Sequence, residues 1–517
     1  MTKKNLLSII ACAIILVIGY KIGVTRSMSP YSISYYITLI GKKIKGECFT
    51  YDYEDFDLPE ISIHINKTGK GYLDSLLFDC VTNKNGWLSS ELISNDYVKA
   101  KVSFNKKEFP IKVRLKGNTG NSLNLNYSLR VKSKTPIIDG IKSFNFQPVS
   151  VKSYENEWFF HSLANEMGLF KLDYFFCKAN INSKTDLYAI EEHFHSNLVS
   201  KNKLDPGIII CFEESVETLN YAHNQIASGK LGRASFFIAK IKPYYKKEVL
   251  KNDSLYSYYI KARNKLESFR RGELITSKVF DIQKLAKLFT LSDLLGEIHP
   301  LEYRNIKFYY NSKTNLLEPI PYDLNSGMKD LTTSSESRNI DIVGSIGSEF
   351  DWINIALSDS IFFHEYMQTL SYYSTKNISE KFINTFNQID SIQRIMRIKP
   401  ITDYYQLDYR KAIQNNQNFI LRKLNPFKLA NCFLKNGNED YSILTIENIH
   451  DLPIKVISVE LKSGEIIPIK RVISASITGH KVNYCDIKVL TNSKQIKNIN
   501  LCIIGLNKIY KENLLPY

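Results

Sequence analysis

The sequence predicts an α+β chain, and three observations carry that prediction. Period-two alternation marks strands between Leu58 and Gln147, as in Ile61-Ser62-Ile63-His64-Ile65 and Ile111-Lys112-Val113-Arg114-Leu115-Lys116. A helical period runs from Phe280 to Ile298, where Ile282, Leu285, Ala286, Leu288, Phe289, Leu294, Leu295 and Ile298 lie at helical spacing. Beyond Pro426 the pattern returns to short strands such as Ile443-Leu444-Thr445-Ile446 and Ile454-Lys455-Val456-Ile457, predicting a small all-β end.

The remaining elements follow in order. Residues 58–215 form a strand-rich part. Tyr127 to Lys132 alternates again after the turn cluster Gly117-Asn118-Thr119-Gly120-Asn121. A helix is expected from Glu155 to Met167, stopped by Gly168, and strands at Tyr174 to Asn180 and Leu187 to Glu191. Residues 216–425 are helix-rich, with further helices from Ser360 to Lys423, and 426–517 form the β-domain. A chain of 517 residues has room for several domains, and 44% hydrophobic with 12% aromatic residues describes a folded protein.

Charge and cysteines exclude more than they assign. The net charge of +16 favours phosphate-bearing partners, yet the lysines are spread out and no zinc-finger, RNP or helix-turn-helix signature occurs, so nucleic acid is not expected. Eight cysteines include no C-x-x-C pair, which argues against a structural zinc ribbon. They read as small buried hydrophobes, with a Cys485–Cys502 bridge left open. His193 and His195 would share a strand face, but no third ligand has convincing spacing. Glu213 and Glu214 read as a solvated loop end.

Residues 1–26 suggest a membrane anchor. An apolar run from Leu6 to Tyr20 resumes at Ile22-Gly23-Val24 after Lys21, at the short end for crossing about 30 Å of hydrocarbon. No small-x-small cleavage site follows, which favours an uncleaved anchor over a removed signal. Lys3 and Lys4 favour a cytoplasmic N-terminus and an extracytoplasmic body, although Lys21, Arg26, Lys42, Lys43 and Lys45 lie on the other flank. Residues 27–57 read as a linker.

The chemistry concentrates between His299 and Gly327. Asn311 to Asn315 is rich in turn residues and joins Ile306–Tyr310 to Leu316–Tyr322 as a hairpin. With Tyr310 opposite Leu316, Asn305 would face Pro321 and Asp323 would face Tyr303. Asn305 and Asp323 would then sit at neighbouring strand ends, with His299 leading in. A carboxylate and an amide oxygen are ligands that Mg²⁺ accepts beside phosphate oxygens. Protein kinases divide metal binding between such an Asn and an Asp. An ordinary hairpin with turn residues at its ends would look similar.

Four ordered blocks between about residues 58 and 425 resemble the spore coat protein H (CotH) kinase family, a divergent branch of the protein-kinase-like fold. They are Ile111-Lys-Val-Arg-Leu-Lys-Gly117, Ser143-Phe-Asn-Phe followed by Glu157 to Gly168, Leu187-Tyr-Ala-Ile-Glu-Glu192-His, and Ile320-Pro-Tyr-Asp323-Leu-Asn325-Ser-Gly327. The resemblance implies ATP and Mg²⁺ as cofactors and transfer to a protein or cell-envelope polymer. It implies Asp323 as the metal-binding carboxylate, with Asn305 and Asn325 as further metal ligands. It also implies Glu192 as partner of an ATP-contacting cation, drawn from Lys116, Arg130 or Lys132.

Two departures stand out. Where the family has an Asp before its Asn, this chain offers His299, with Glu302 nearer, as candidate catalytic residues. The family's second motif Asp is Asn325 here. A histidine can serve as general base but cannot replace a negative charge. The rival reading is therefore a kinase-like envelope scaffold that has lost transfer. No Gly-x-Ser-x-Gly or Walker A pattern occurs.

Overall fold

A computed structural model describes residues 57–83, 97–117, 127–213, 236–324, 327–328, 351–397, 406–476 and 482–515. The strand-rich part closes on itself. Strands β1 (Glu60–Ile65), β2 (Val98–Phe104), β3 (Lys107–Leu115), β4 (Leu129–Ser133), β5 (Ser143–Pro148), β6 (Tyr174–Ile181) and β7 (Lys184–Glu192) form a barrel in the order β1-β2-β3-β4-β5-β7-β6. Parallel pairing of β1 with β6 closes it. The expected alternation is the reason: Ile61, Ile63, Val113, Leu129, Val131, Phe144, Phe146 and Ile190 fill the interior. Their neighbours Arg130, Asn145 and Glu191 must then point outward.

Helix α1 (Lys67–Asn83) adds Leu73, Leu76 and Leu77 to the barrel core. The sequence reading expected strand here; Gly69 and Gly71 in the opening turns hide the helical pattern. Helix α2 (Asn156–Glu166) lies between β5 and β6 and ends before Gly168, as expected. Its Phe159, Phe160 and Leu163 enter a second, larger core.

That core spans the helices α3 (Asp253–Arg270), α4 (Ile282–Leu295), α5 (Ser360–Thr375), α6 (Ile383–Arg397) and α7 (Tyr409–Leu424). Asp281 caps α4 by accepting the Lys284 N–H at 3.0 Å. On its buried face Phe289 meets Trp352, Phe362 and Tyr366 edge-on. A four-stranded sheet, β8 (Gly207–Phe212), β9 (Ile241–Pro243), β10 (Lys307–Asn311) and β11 (Leu316–Ile320), runs in the order β11-β10-β8-β9.

Residues 430–515 carry two further four-stranded sheets. One pairs β12 (Ala430–Gly437), β13 (Ser442–Asn448) and β16 (Asn483–Val489) with Leu514–Leu515. The other pairs β14 (Ile454–Leu461), β15 (Ile466–Ile473) and β17 (Ile496–Ile503) with Tyr510–Glu512. Their Leu444, Ile446, Val456 and Leu501 join the same core as the helices. Gly505 marks the contact with α5: a Cβ there would come within 2.7 Å of the Met367 Cβ. Cys485 and Cys502 lie on β16 and β17, in different sheets, and both are free thiols.

The expectation of a single-pass membrane protein is corrected. Among the described residues no helix is long and apolar enough to cross a membrane. Residues 1–26, on which the anchor reading fell, and most of the linker lie outside the described residues.

Candidate functional site

The hairpin forms one residue out of the expected register. Tyr310 pairs with Leu317 and Asn311 with Leu316. Asn311 sets this: its Oδ1 accepts the Lys313 N–H at 3.0 Å and its carbonyl accepts the Asn315 N–H at 2.9 Å. Asn315 takes positive φ, so four residues turn the chain where five were expected. The ladder stops at Lys307–Ile320, short of both Asn305 and Asp323.

Asp323 is held from three directions. Its backbone is left-handed, φ 64°, a conformation that costs a non-glycine residue about 1–3 kcal/mol unless its surroundings impose it. Glu157, at the start of α2, imposes it. Its carboxylate accepts the N–H of Asp323 at 3.0 Å and of Leu324 at 3.0 Å. Asn156 accepts the Met328 N–H at 3.0 Å. Gly327, φ +84°, lets the chain pass close, since a Cβ there would lie 3.0 Å from the Asn156 side chain.

The Asp323 carboxylate forms an ion pair with Lys152, a buried lysine on the turn Val149–Lys152 after β5. Burial opposes its charge, but Lys152, His299 and Lys116 outweigh that and hold it well below the usual carboxylate range. The Lys152 ammonium is held above its ordinary value: burial again opposes, and Asp323, Glu157 and Glu191 prevail. Lys116 is pushed down to about 8, first by burial and then by the Lys152 charge.

A polar rung on the outer face of the barrel supports this group. Arg114 pairs with Arg130, Arg130 with Asn145, Asn145 with Glu191, and Glu191 with Tyr174, directly across successive strands. Asn145 accepts from Arg130 Nε and donates to Glu191. Glu191 is lowered to about 2; burial opposes, and Lys152 with His161 dominates.

The expected residues divide. Asp323 and Lys116 meet at this site, and Arg130 lies on the adjoining rung against Asn145 and His193. Lys132 is exposed and lies 4.9 Å over the Tyr97 ring instead. Glu192 does not pair with any of the three expected cations. Lys201 contacts its oxygens at 2.9 and 3.0 Å, and His195 lies 3.2 Å away. Its neighbour Glu191 faces the cations, because adjacent strand residues point to opposite faces. His193 contacts Arg130 while His195 contacts Glu192, so the two histidines do not converge. Glu213 pairs with Lys242 at 3.2 Å.

His299 and Glu302 sit together, Nδ1 to Oε1 3.3 Å, on the short turn leaving α4. Burial disfavours the charged imidazole, but Glu302 and Asp323 raise its pKa. Arg304 also bonds Glu302, at 2.5 Å. Asn305 is buried and its Nδ2 donates to the His299 carbonyl at 3.0 Å. Asn325 and Glu214 lie outside the described residues.

Sequence reasoning missed Lys152, Glu191 and the clamp role of Glu157. Lys152 had no signal among so many lysines. The i,i+4 pair Glu157–His161 on one helix face was the available clue for α2.

No protein-family model matches the chain, and no curated protein matches it. Among solved structures it is similar to a Helicobacter pylori proinflammatory kinase, CtkA, at 11% identity and a TM-score of 0.20, over 62% of this chain and 86% of that one. A likeness at that level carries no argument about this chain, and nothing in the comparisons singles out the spore coat protein H family.

Proposed function

We propose that the chain binds a magnesium–nucleotide complex, ATP in the first instance, at Asp323 and transfers phosphate to a hydroxyl on a protein, as a divergent kinase of the spore coat protein H type. The observation that carries this reading is the ionised, clamped Asp323 carboxylate, paired with Lys152 and with Lys116 and His299 close by. Phosphoryl transfer is mostly positioning and charge neutralisation, and a fixed hard-oxygen ligand amid cations suits both.

The donor set fits Mg²⁺, which takes carboxylate and amide oxygens. Asp323 would hold it, with Asn305 second, its amide oriented by the bond to the His299 carbonyl. Bound magnesium would neutralise phosphate oxygens. Lys152 and Lys116 would contact the phosphates, Arg130 would be held in place by Asn145, and the His299–Glu302 pair would orient the acceptor hydroxyl.

A second reading is favoured by one observation. Glu302, the candidate carboxylate base, is already engaged by His299 and Arg304. The chain would then bind nucleotide without transferring its terminal phosphate. Calorimetry with Mg-ATP, wild type against Asp323→Ala, tests binding; wild type that binds no nucleotide sinks both readings. Incorporation of the labelled terminal phosphate into protein separates them. Transfer predicts incorporation that Glu302→Ala abolishes, and the second reading predicts binding with none.

A further inference from the structure

Behind Asp323 lies a buried trio; Glu157 also holds the Asp323 backbone and Glu191 also holds Asn145, but the nucleotide reading gives no role to the three together. Glu157 and His161 are one helical turn apart on α2, and Glu191 faces them from β7. Each is at most 6% exposed. One ligand atom from each lies within 4.8 Å of the others.

We propose that Glu157, His161 and Glu191 form a structural metal site for zinc or a similar borderline divalent cation, fastening α2 to the barrel. The first support is spacing. His161 Nε2 lies 3.4 Å from Glu157 Oε1 and 3.7 Å from Glu191 Oε1. These separations exceed the 2.7–3.2 Å range of a good hydrogen bond, and neither His161 Nε2 nor Glu191 Oε1 has a hydrogen-bond partner. Zinc bonds of 2.0–2.2 Å place neighbouring ligand atoms of a tetrahedron about 3.3–3.6 Å apart; the two distances from His161 lie within about 0.1 Å of that range, and the two carboxylates lie within 4.8 Å of each other.

The second support is Tyr174. Its ring stacks on His161 at 5.6 Å, it sits directly opposite Glu191 in the strand ladder, and it is 8% exposed. Its buried hydroxyl has no hydrogen-bond partner. A fourth ligand, or a water on the metal, would be in its reach. One imidazole and two carboxylates suit zinc, and the imidazole nitrogen disfavours magnesium. A +2 ion would also neutralise the two carboxylates, which otherwise repel each other in a buried setting.

The test uses the full chain purified without chelator. Near-stoichiometric zinc is expected by mass spectrometry. Cobalt added after chelation should give the intense visible bands of a tetrahedral site. His161→Gln and Glu191→Gln should lose both signals, whereas Asp323→Ala should keep them, separating this site from nucleotide binding. Should either ligand variant fail to fold, wild type decides: chelation should lower its melting temperature and zinc should restore it. Folded wild type that carries no zinc, shows no cobalt band and does not respond to chelator would overturn the proposal. The trio would then be a protonated imidazole between two carboxylates.

Discussion

Glu157 accepts the backbone N–H of Asp323 at 3.0 Å, across 166 residues of sequence. That bond places the candidate metal-binding carboxylate by its backbone, leaving its side chain to Lys152 and to ligand. In Glu157→Gln one acceptor oxygen becomes a donor, and a buried N–H loses its partner at about 1–3 kcal/mol. Denaturant unfolding should register that loss, and Mg-nucleotide affinity should fall with it. Unchanged affinity in a destabilised variant would mean that the clamp does not position Asp323.

The Lys152–Asp323 pair should be strongly interdependent. Removing one partner leaves an uncompensated buried charge, costing about 3–5 kcal/mol. Lys152→Met and Asp323→Leu should each destabilise by that order, and the double variant by clearly less than their sum. A double-mutant cycle measured by urea unfolding checks this; additive losses would contradict it.

Lys116 predicts a pH dependence. Its folded pKa, about 8, lies below the ordinary 10.5, so between those values the unfolded chain binds more protons. Stability contributed by this group therefore rises with pH across that window. Nucleotide binding runs the other way: the phosphates need the charged amine, so affinity should weaken as pH rises through about 8. Calorimetry over a pH series should show that step in wild type and not in Lys116→Arg, which keeps its charge.

Adjacent glutamates should behave differently. Glu191→Gln removes a charge from the rung that orders Asn145 and Arg130. A charge-assisted hydrogen bond of about 1.5–3 kcal/mol is at stake there. Glu192→Gln disturbs only the contacts with Lys201 and His195. Nucleotide affinity should fall for the first and hold for the second. The reverse would restore Glu192 to the role that the motif resemblance implied.

Gly327→Ala should be costly for its size. Positive φ strains any side chain, and the added Cβ would press on Asn156, so a loss above about 1 kcal/mol is expected in thermal or denaturant unfolding.

Local pattern was legible where it repeats. Alternation in Ile61–Ile65 and Ile111–Leu115 signalled strands, the helical period from Ile282 to Leu295 signalled α4, and the turn residues at Asn311–Asn315 signalled a hairpin. Each arises from neighbours in the chain. α1 escaped because its opening glycines break the pattern, and the hairpin register slipped by one because an Asn side chain, not the residue count, sets the turn.

The sequence by itself determined that the chain is α and β together, that strands give way to helices and then to strands again, and that Asp323 follows a hairpin. Only the tertiary structure decided which groups meet that aspartate. Lys152, Glu157 and Glu191 come from a turn, a helix and a barrel strand far from it in sequence. Closure of the barrel turns Glu191 toward the cations and Glu192 away. A contact made by long-range closure leaves no periodic trace, which is why the lysine and the glutamate nearest the candidate chemistry were the ones the sequence left hidden.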